Sequence, residues 1–239
     1  MVKASSEQES PAPPSHAGGA GGAGEGGRGV FVVFEGIDGA GTSTQAERYA
    51  ARLRDARRLV HVTREPSAGP VGALLRQVLT HRISLPVARQ AEVMALLFSA
   101  DRLDHLGAEV EPLLCDGYVV ISDRYDLSSL AYQSTTAAGD GREMGEILQW
   151  IRELNRHARR PDVTVVIDVA PEIAEQRRRG RGGAEELFEK RELQARLAAA
   201  YRRAEELVPG DRVIHVEGGG AVEDVAREIA AALAAFVER

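Results

Sequence analysis

The stretch Val30-Phe31-Val32-Val33-Phe34-Glu35-Gly36-Ile37-Asp38-Gly39-Ala40-Gly41-Thr42-Ser43-Thr44-Gln45 decides the fold. Val30 to Glu35 is a nearly continuous apolar run of strand length, Gly36 to Gly41 a glycine-rich turn, and Thr42 to Arg57 has helical character. Strand, turn and helix in that order open a parallel sheet covered on both faces. Gly36 and Gly41 have the spacing of a phosphate-binding loop, G-x-x-x-x-G-K-[ST]. Glycine lets backbone N–H groups turn toward phosphate oxygens, and the helix that follows offers its positive end to the same anion. Ser43 stands where the motif's hydroxyl meets Mg²⁺, but Thr42 holds the lysine position. The backbone cradle and the hydroxyl survive that exchange. The point charge at the β- and γ-phosphates is lost, and a missing preorganised charged donor costs about 3 kcal/mol of transition-state stabilisation. Taken alone, the spacing fits a plain turn between strand and helix equally well.

Outward from this unit, short apolar runs alternate with helical patterns. Further strands are expected at Leu59–Thr63, Tyr118–Ser122, Val163–Val169 and Val213–Val216. Helices are expected at Val71–Leu79, Leu187–Leu207 and Val222–Val237. A long apolar-periodic segment runs from Pro86 to Leu114, with Ser84 as N-cap and Asp116-Gly117 as stop. The expected fold is α/β, a five-stranded parallel sheet with helices on both faces. In such sheets ligands bind beyond the carboxyl ends of the strands.

Residues 1–28, rich in Gly, Ala, Ser and Pro, read as a disordered tail ahead of one domain at 29–239. The net charge of −6 argues against a nucleic-acid polymer as partner. Positive charge is nearly all arginine, since Lys3 and Lys190 are the only lysines. The single cysteine, Cys115, excludes a disulfide within the chain and points to a reducing, cytoplasmic setting. Beside Leu113 and Leu114 it reads as a packing residue. No apolar run is long enough for a bilayer, so no membrane is expected. The six histidines show no metal-ligand spacing.

Four more motifs fall at strand ends or on the adjoining helices. Thr63-Arg64-Glu65-Pro66 follows the second strand, and Phe98-Ser99-Ala100-Asp101-Arg102 lies on the long helix. Asp123-Arg124-Tyr125-Asp126-Leu127-Ser128-Ser129-Leu130-Ala131-Tyr132-Gln133 follows the third strand. Arg177, Arg178, Arg179 and Arg181, with glycines between and after them, read as a flexible cationic segment. A carboxylate at Asp123 can hold or orient Mg²⁺ and Arg124 can meet a phosphate; a solvated ion pair is the plainer reading. Phe98 and Arg102, four apart on a helix, share a face that can stack on a base and hydrogen-bond its edge, though Phe98 also suits an ordinary core. The arginine run equally suits a solvated charged segment.

From Val30 to the C-terminus, the order of these motifs resembles the thymidylate kinase family, P-loop nucleoside monophosphate kinases. The resemblance implies a P-loop NTPase fold with an arginine-rich lid at about 177–187, closing over ATP. It implies ATP-dependent phosphorylation of dTMP with Mg²⁺ held by Ser43 and Asp123. ATP would lie over Gly36, Ile37, Asp38, Gly39, Ala40, Gly41, Thr42, Ser43 and Thr44. Asp38, Arg64, Arg76, Phe98, Arg102, Arg124, Ser129, Tyr132 and Gln133 would line the dTMP site. Asp123, Arg124, Arg177 and Arg181 would carry catalysis. Gly39 marks the kind of family member whose arginine sits in the lid rather than the loop. A homodimer is implied too, with the long helix available to a partner. Two rival readings stand beside it: a kinase for another nucleotide, and a nucleotide-binding paralogue without catalysis, which Thr42 favours.

Overall fold

The computed structural model describes residues 28–85, 89–137, 143–181 and 191–237. Apart from Arg28, the expected tail lies outside them. Strands β1 (Val30–Gly36), β2 (Val60–Arg64), β3 (Val119–Asp123), β4 (Val163–Asp168) and β5 (Val213–Glu217) form one sheet in the order β2-β3-β1-β4-β5. Every pairing is parallel. Helices α1 (Thr42–Asp55), α2 (Pro70–Leu79), α3 (Gln90–His105), α4 (Glu111–Cys115), α5 (Asp126–Ala137), α6 (Met144–Leu154), α7 (Pro171–Arg181), α8 (Arg191–Tyr201), α9 (Ala204–Leu207) and α10 (Val222–Val237) connect them. The fold is the α/β architecture expected from the sequence.

β1 is the central strand, and its alternation explains why it is apolar throughout. Val32 and Phe34 pack with Ala46, Tyr49 and Ala50 of α1. Phe31 and Val33 point the other way, onto Leu106, Val110 and Leu114. Burying one such side chain contributes roughly 1.5–3 kcal/mol. The chain moves from β1 to one side of the sheet for β2 and β3, then crosses to the other for β4 and β5. The reversal opens a crevice at the carboxyl end of β1, where the glycine-rich turn lies.

The long segment is helical from Gln90 to Cys115, interrupted by a π-turn over Leu106–Val110. Pro112 follows directly and has no N–H for an i→i−4 bond, so the helix widens before it. The helix begins later than Ser84 suggests, with Arg89 at the N-cap and 86–88 outside the described residues. Asp116 and Gly117, at φ 81°, end it as expected. Cys115 requires correction: it is exposed. One residue adds about 100° of helical rotation, so Leu114 takes the buried position and Cys115 turns out. The segment 187–207 resolves into α8 and α9, with 187–190 outside the described residues. The sequence reading has no counterpart for α6, although Ile147, Leu148 and Ile151 carry helical spacing onto the core.

Candidate active site

Gly41, at φ 101°, turns the chain from the loop into α1, a conformation open to glycine at little cost. Thr42 behind it is buried, while Ser43 faces out. The Ser43 hydroxyl donates to Asp123 Oδ2 at the end of β3. The other oxygen, Oδ1, is buried and has no hydrogen-bond partner among the described residues. One hydroxyl and one under-committed carboxylate are hard oxygen donors, and they fit Mg²⁺, which takes few protein ligands and relies on substrate phosphates. Among the described residues no group of three or more His, Cys, Asp or Glu is arranged around a metal.

Next to Asp123, Arg124 adopts φ 80°, rare for a side chain with a Cβ. Its guanidinium donates to Gly36 O, to Asp38 Oδ1 at 2.7 Å and to Tyr201 OH at 3.0 Å, and it lies 5.6 Å from the centre of the Tyr132 ring. Burial opposes its charge, but the surrounding phenols and the carboxylates of Asp38 and Glu35 hold the proton on. Arg124 and Tyr132, from the motif after β3, and Asp38, from the glycine-rich loop, therefore meet in one place. Glu35 ties the same place to α5: it accepts from Tyr125 N at 2.9 Å, Ser128 N at 3.1 Å, Ser128 Oγ at 2.6 Å and Tyr201 OH at 3.1 Å. Burial pushes its carboxyl up to about 7, against the pull of Arg124 and of these bonds.

Arg102 is 1% exposed. Its guanidinium donates to Asn155 Oδ1 at 2.5 Å, Glu65 Oε2 at 2.6 Å and Ser129 Oγ at 3.2 Å, with 5.0 Å to the Tyr125 ring centre. Its Nε has no partner among the described residues. Arg102 and Ser129 are thus together. Phe98, half-buried, packs with Leu75, Val78, Leu79 and Met94 between α2 and α3. Gln133 is buried, and its Oε1 has no hydrogen-bond partner among the described residues. Arg64 is exposed at the end of β2, in register with Asp123. Arg76 turns to the loop after β2, donating to Ser67 O and, at 3.2 Å, to Pro66 O. Asp101 fixes that loop from the other side, accepting from Ser67 N at 2.8 Å and Oγ at 2.6 Å.

A thymidylate kinase family model matches residues 34–229. The chain belongs to the thymidylate kinase family. Probable thymidylate kinases of Thermococcus gammatolerans (40% identity over 204 residues, 84% of this chain and 93% of the relative) and Pyrobaculum aerophilum (44% over 155 residues, 65% and 72%) are among its relatives. A thymidylate kinase of Ruegeria pomeroyi is 40% identical over 178 residues, 72% of this chain and 79% of the relative.

The segment expected to form a lid in this thymidylate kinase family member begins in regular structure. Arg177 to Arg181 belong to α7, where the sequence suggests a flexible segment. Most of the expected lid, 182–187, and the Arg181 side chain lie outside what is described. Arg177 donates to Ala40 O at 3.2 Å and Gly218 O at 2.8 Å, Arg178 to Asp38 O, and Arg179 to Glu175 on its own helix. Further along the chain, Gln194 and Tyr201 of α8 reach Asp38, Arg124 and Glu35. The sequence reading passed over both, and over Glu35, Glu65 and Asn155. A signal existed for Glu35, a carboxylate at the end of an apolar strand. Gln194 and Tyr201, seven apart on one helix face, had a fainter one.

Proposed function

We propose that the protein transfers the γ-phosphoryl group of ATP to dTMP, giving dTDP and ADP, in dTTP synthesis. Within a thymidylate kinase family chain, the observation that carries this is Arg124, held beside the phosphate loop by Gly36, Asp38 and Tyr201. In this reading Arg124 meets the acceptor phosphate beside a donor held in the loop.

In this reading an ionised oxygen of the dTMP phosphate attacks the γ-phosphorus. The bond to the β,γ-bridging oxygen breaks, and its electron pair leaves with ADP. The acceptor is already ionised, so no strong base is needed, and catalysis rests on positioning and charge neutralisation. Backbone N–H groups from Gly36 to Thr44 cradle the donor phosphates. Ser43 and Asp123 would hold Mg²⁺, which when bound neutralises phosphate charge and polarises the transferring group. Arg124, with Arg64 and Arg76, draws the acceptor phosphate. Phe98, Arg102, Ser129 and Gln133 line the base side, and Asp38 and Tyr132 the sugar side. Arg177 and Arg181 supply positive charge from the lid side.

Three further readings belong with this one. α3 exposes Leu96 (50%) and Leu103 (43%), seven apart with exposed Ala100 between them. This apolar stripe supports a homodimer built on the long helix. The single cysteine supports a cytoplasmic setting, and the Gly, Ala, Ser and Pro content of 1–28 supports a tail outside the domain. No described helix is long and apolar enough to cross a membrane.

The test is ADP formation with ATP, Mg²⁺ and a panel of dTMP, dCMP, dGMP, dAMP and UMP. We expect dTMP to be preferred. Another acceptor favoured tenfold in kcat/KM would remove the assignment to dTMP. Thr42 favours the second reading, a nucleotide-binding paralogue; nucleotide binding without ADP formation from any acceptor would establish it.

A further inference from the structure

Three arginines stand behind the phosphate loop, each on a different carbonyl and at alternate positions. Arg124 donates to Gly36 O, Arg178 to Asp38 O and Arg177 to Ala40 O. They come from two elements on different sides of the loop, the β3–α5 junction and α7. A trans peptide directs its C=O and N–H in opposite directions. The peptide units whose carbonyls these arginines hold are the ones that carry the N–H groups of Ile37, Gly39 and Gly41. A guanidinium pulling a carbonyl outward therefore aims the matching N–H inward and strengthens its dipole, since hydrogen bonds in series polarise one another.

We propose that Arg177 and Arg178 are positioning residues that act through the loop backbone and take over, from behind, part of the electrostatic work of the absent loop lysine. The inference rests on the phosphate-donor site proposed above. Its geometry differs from that of an arginine finger. Arg177 is anchored on two main-chain carbonyls, Ala40 O and Gly218 O, and so also joins the loop to the β5–α10 turn. Thr42, buried directly behind the cradle, brings no charge of its own. Among the described residues, Arg124, Arg177 and Arg178 each reach the loop through one of its carbonyls. Gly39 makes this approach feasible, because a Cβ at that position would run into Ala174 of α7, the helix that carries both arginines.

The experiment uses the full chain and a non-hydrolysable ATP analogue with Mg²⁺. Binding is measured for wild type, Arg177→Ala, Arg178→Ala and the Lys variant of each, all in Thr42 and Thr42→Lys backgrounds. Each alanine variant should bind the analogue about tenfold more weakly, as expected for loss of one charged hydrogen-bond donor. The Lys variants should fall between, and Thr42→Lys should restore most of the loss. The amide proton resonances of Gly39 and Gly41 should move upfield when the corresponding arginine is removed. Unchanged affinity with a loss confined to kcat would make these residues direct transition-state contacts and overturn the proposal. Strict additivity with Thr42→Lys would overturn it too. Thermal melts identify any alanine variant that does not fold, and its Lys variant then decides. Because binding is the readout, an inactive wild type that shows this pattern would retain the inference and refute the kinase reading.

Discussion

Gln194 Nε2 lies 3.1 Å from Asp38 Oδ2, joining α8 to the glycine-rich loop after β1. Asp38 thereby has both oxygens engaged, since Arg124 holds Oδ1 at 2.7 Å. A carboxylate inside a phosphate loop repels its ligand unless such donors fix and screen it. Gln194→Ala should lower kcat/KM for dTMP by roughly 10- to 100-fold, the equivalent of one hydrogen bond to a charged group. Gln194→Glu should do more damage, because it sets two carboxylates against each other. Steady-state kinetics on both variants check the order; equal losses would remove the charge argument.

Glu35 gives the fold a pH dependence of definite sign. Its carboxyl titrates near 7 in the folded chain and near 4.5 when unperturbed. Between those values the folded state keeps a proton that the unfolded state has released, so this residue's contribution to stability falls as pH rises from 4.5 to 7. The whole swing is about 3 kcal/mol. Glu35→Gln mimics the protonated form, with a carbonyl oxygen that accepts from the two backbone amides and an amide NH2 that donates to the hydroxyl oxygens of Ser128 and Tyr201. Wild type should therefore lose stability relative to Glu35→Gln over that window, by urea unfolding at pH 4.5, 6 and 7.5. A constant difference between the two would contradict the expectation.

The Arg102–Glu65 pair, 2.6 Å apart with both side chains 1% exposed, stabilises little net but is costly to halve. Glu65→Ala should cost about 3–5 kcal/mol by leaving a buried guanidinium uncompensated. Replacing both with apolar residues, Arg102→Met with Glu65→Leu, should recover most of that stability and still leave dTMP unrecognised. Denaturant melts and dTMP binding on the single and double variants separate the two effects. Recovery of binding in the double variant would show that Arg102 is a structural residue only.

At Gly39 backbone and space act together. With φ 92° and Ala174 of α7 against the position a Cβ would take, Gly39→Ala should destabilise by about 1–2 kcal/mol from backbone strain alone, with the steric conflict added. Its affinity for ATP should also fall, because α7 must move away. A crystal structure of Gly39→Arg should show α7 displaced from the loop; an undisturbed α7 would refute the account.

The fold was legible because each strand is short, apolar and followed by turn residues, and because β1 alone states that both faces of the sheet are covered. Ser43 and Asp123 were legible together as Mg²⁺ contributors because strand ends converge in a parallel sheet, whereas Arg124 and Asp38 were drawn into one site only by the family resemblance. Apart from Glu35 and Glu65, which lie inside the motifs themselves, what escaped was supplied by elements distant in sequence. Gln194 is 156 positions from Asp38, and nothing local to Gln194 marks it as more than a helix residue. Arg177 read as part of a mobile charge run because composition cannot show that α7 presents it to the loop's carbonyls. Cys115 was misplaced by a single residue, enough to turn a side chain from core to solvent.

The buried threonine at position 42 also changes how the site can be reached chemically. Reagents that find ATP sites by acylating the loop amine have nothing to acylate there, and the chain's two lysines, Lys3 and Lys190, lie in other segments. For the same reason, enzymatic acetylation, which neutralises the lysine of an ordinary phosphate loop, has no substrate here. Profiling of a proteome by lysine reactivity would overlook this loop, and guanidine-directed dicarbonyls would be the reagents to report on it.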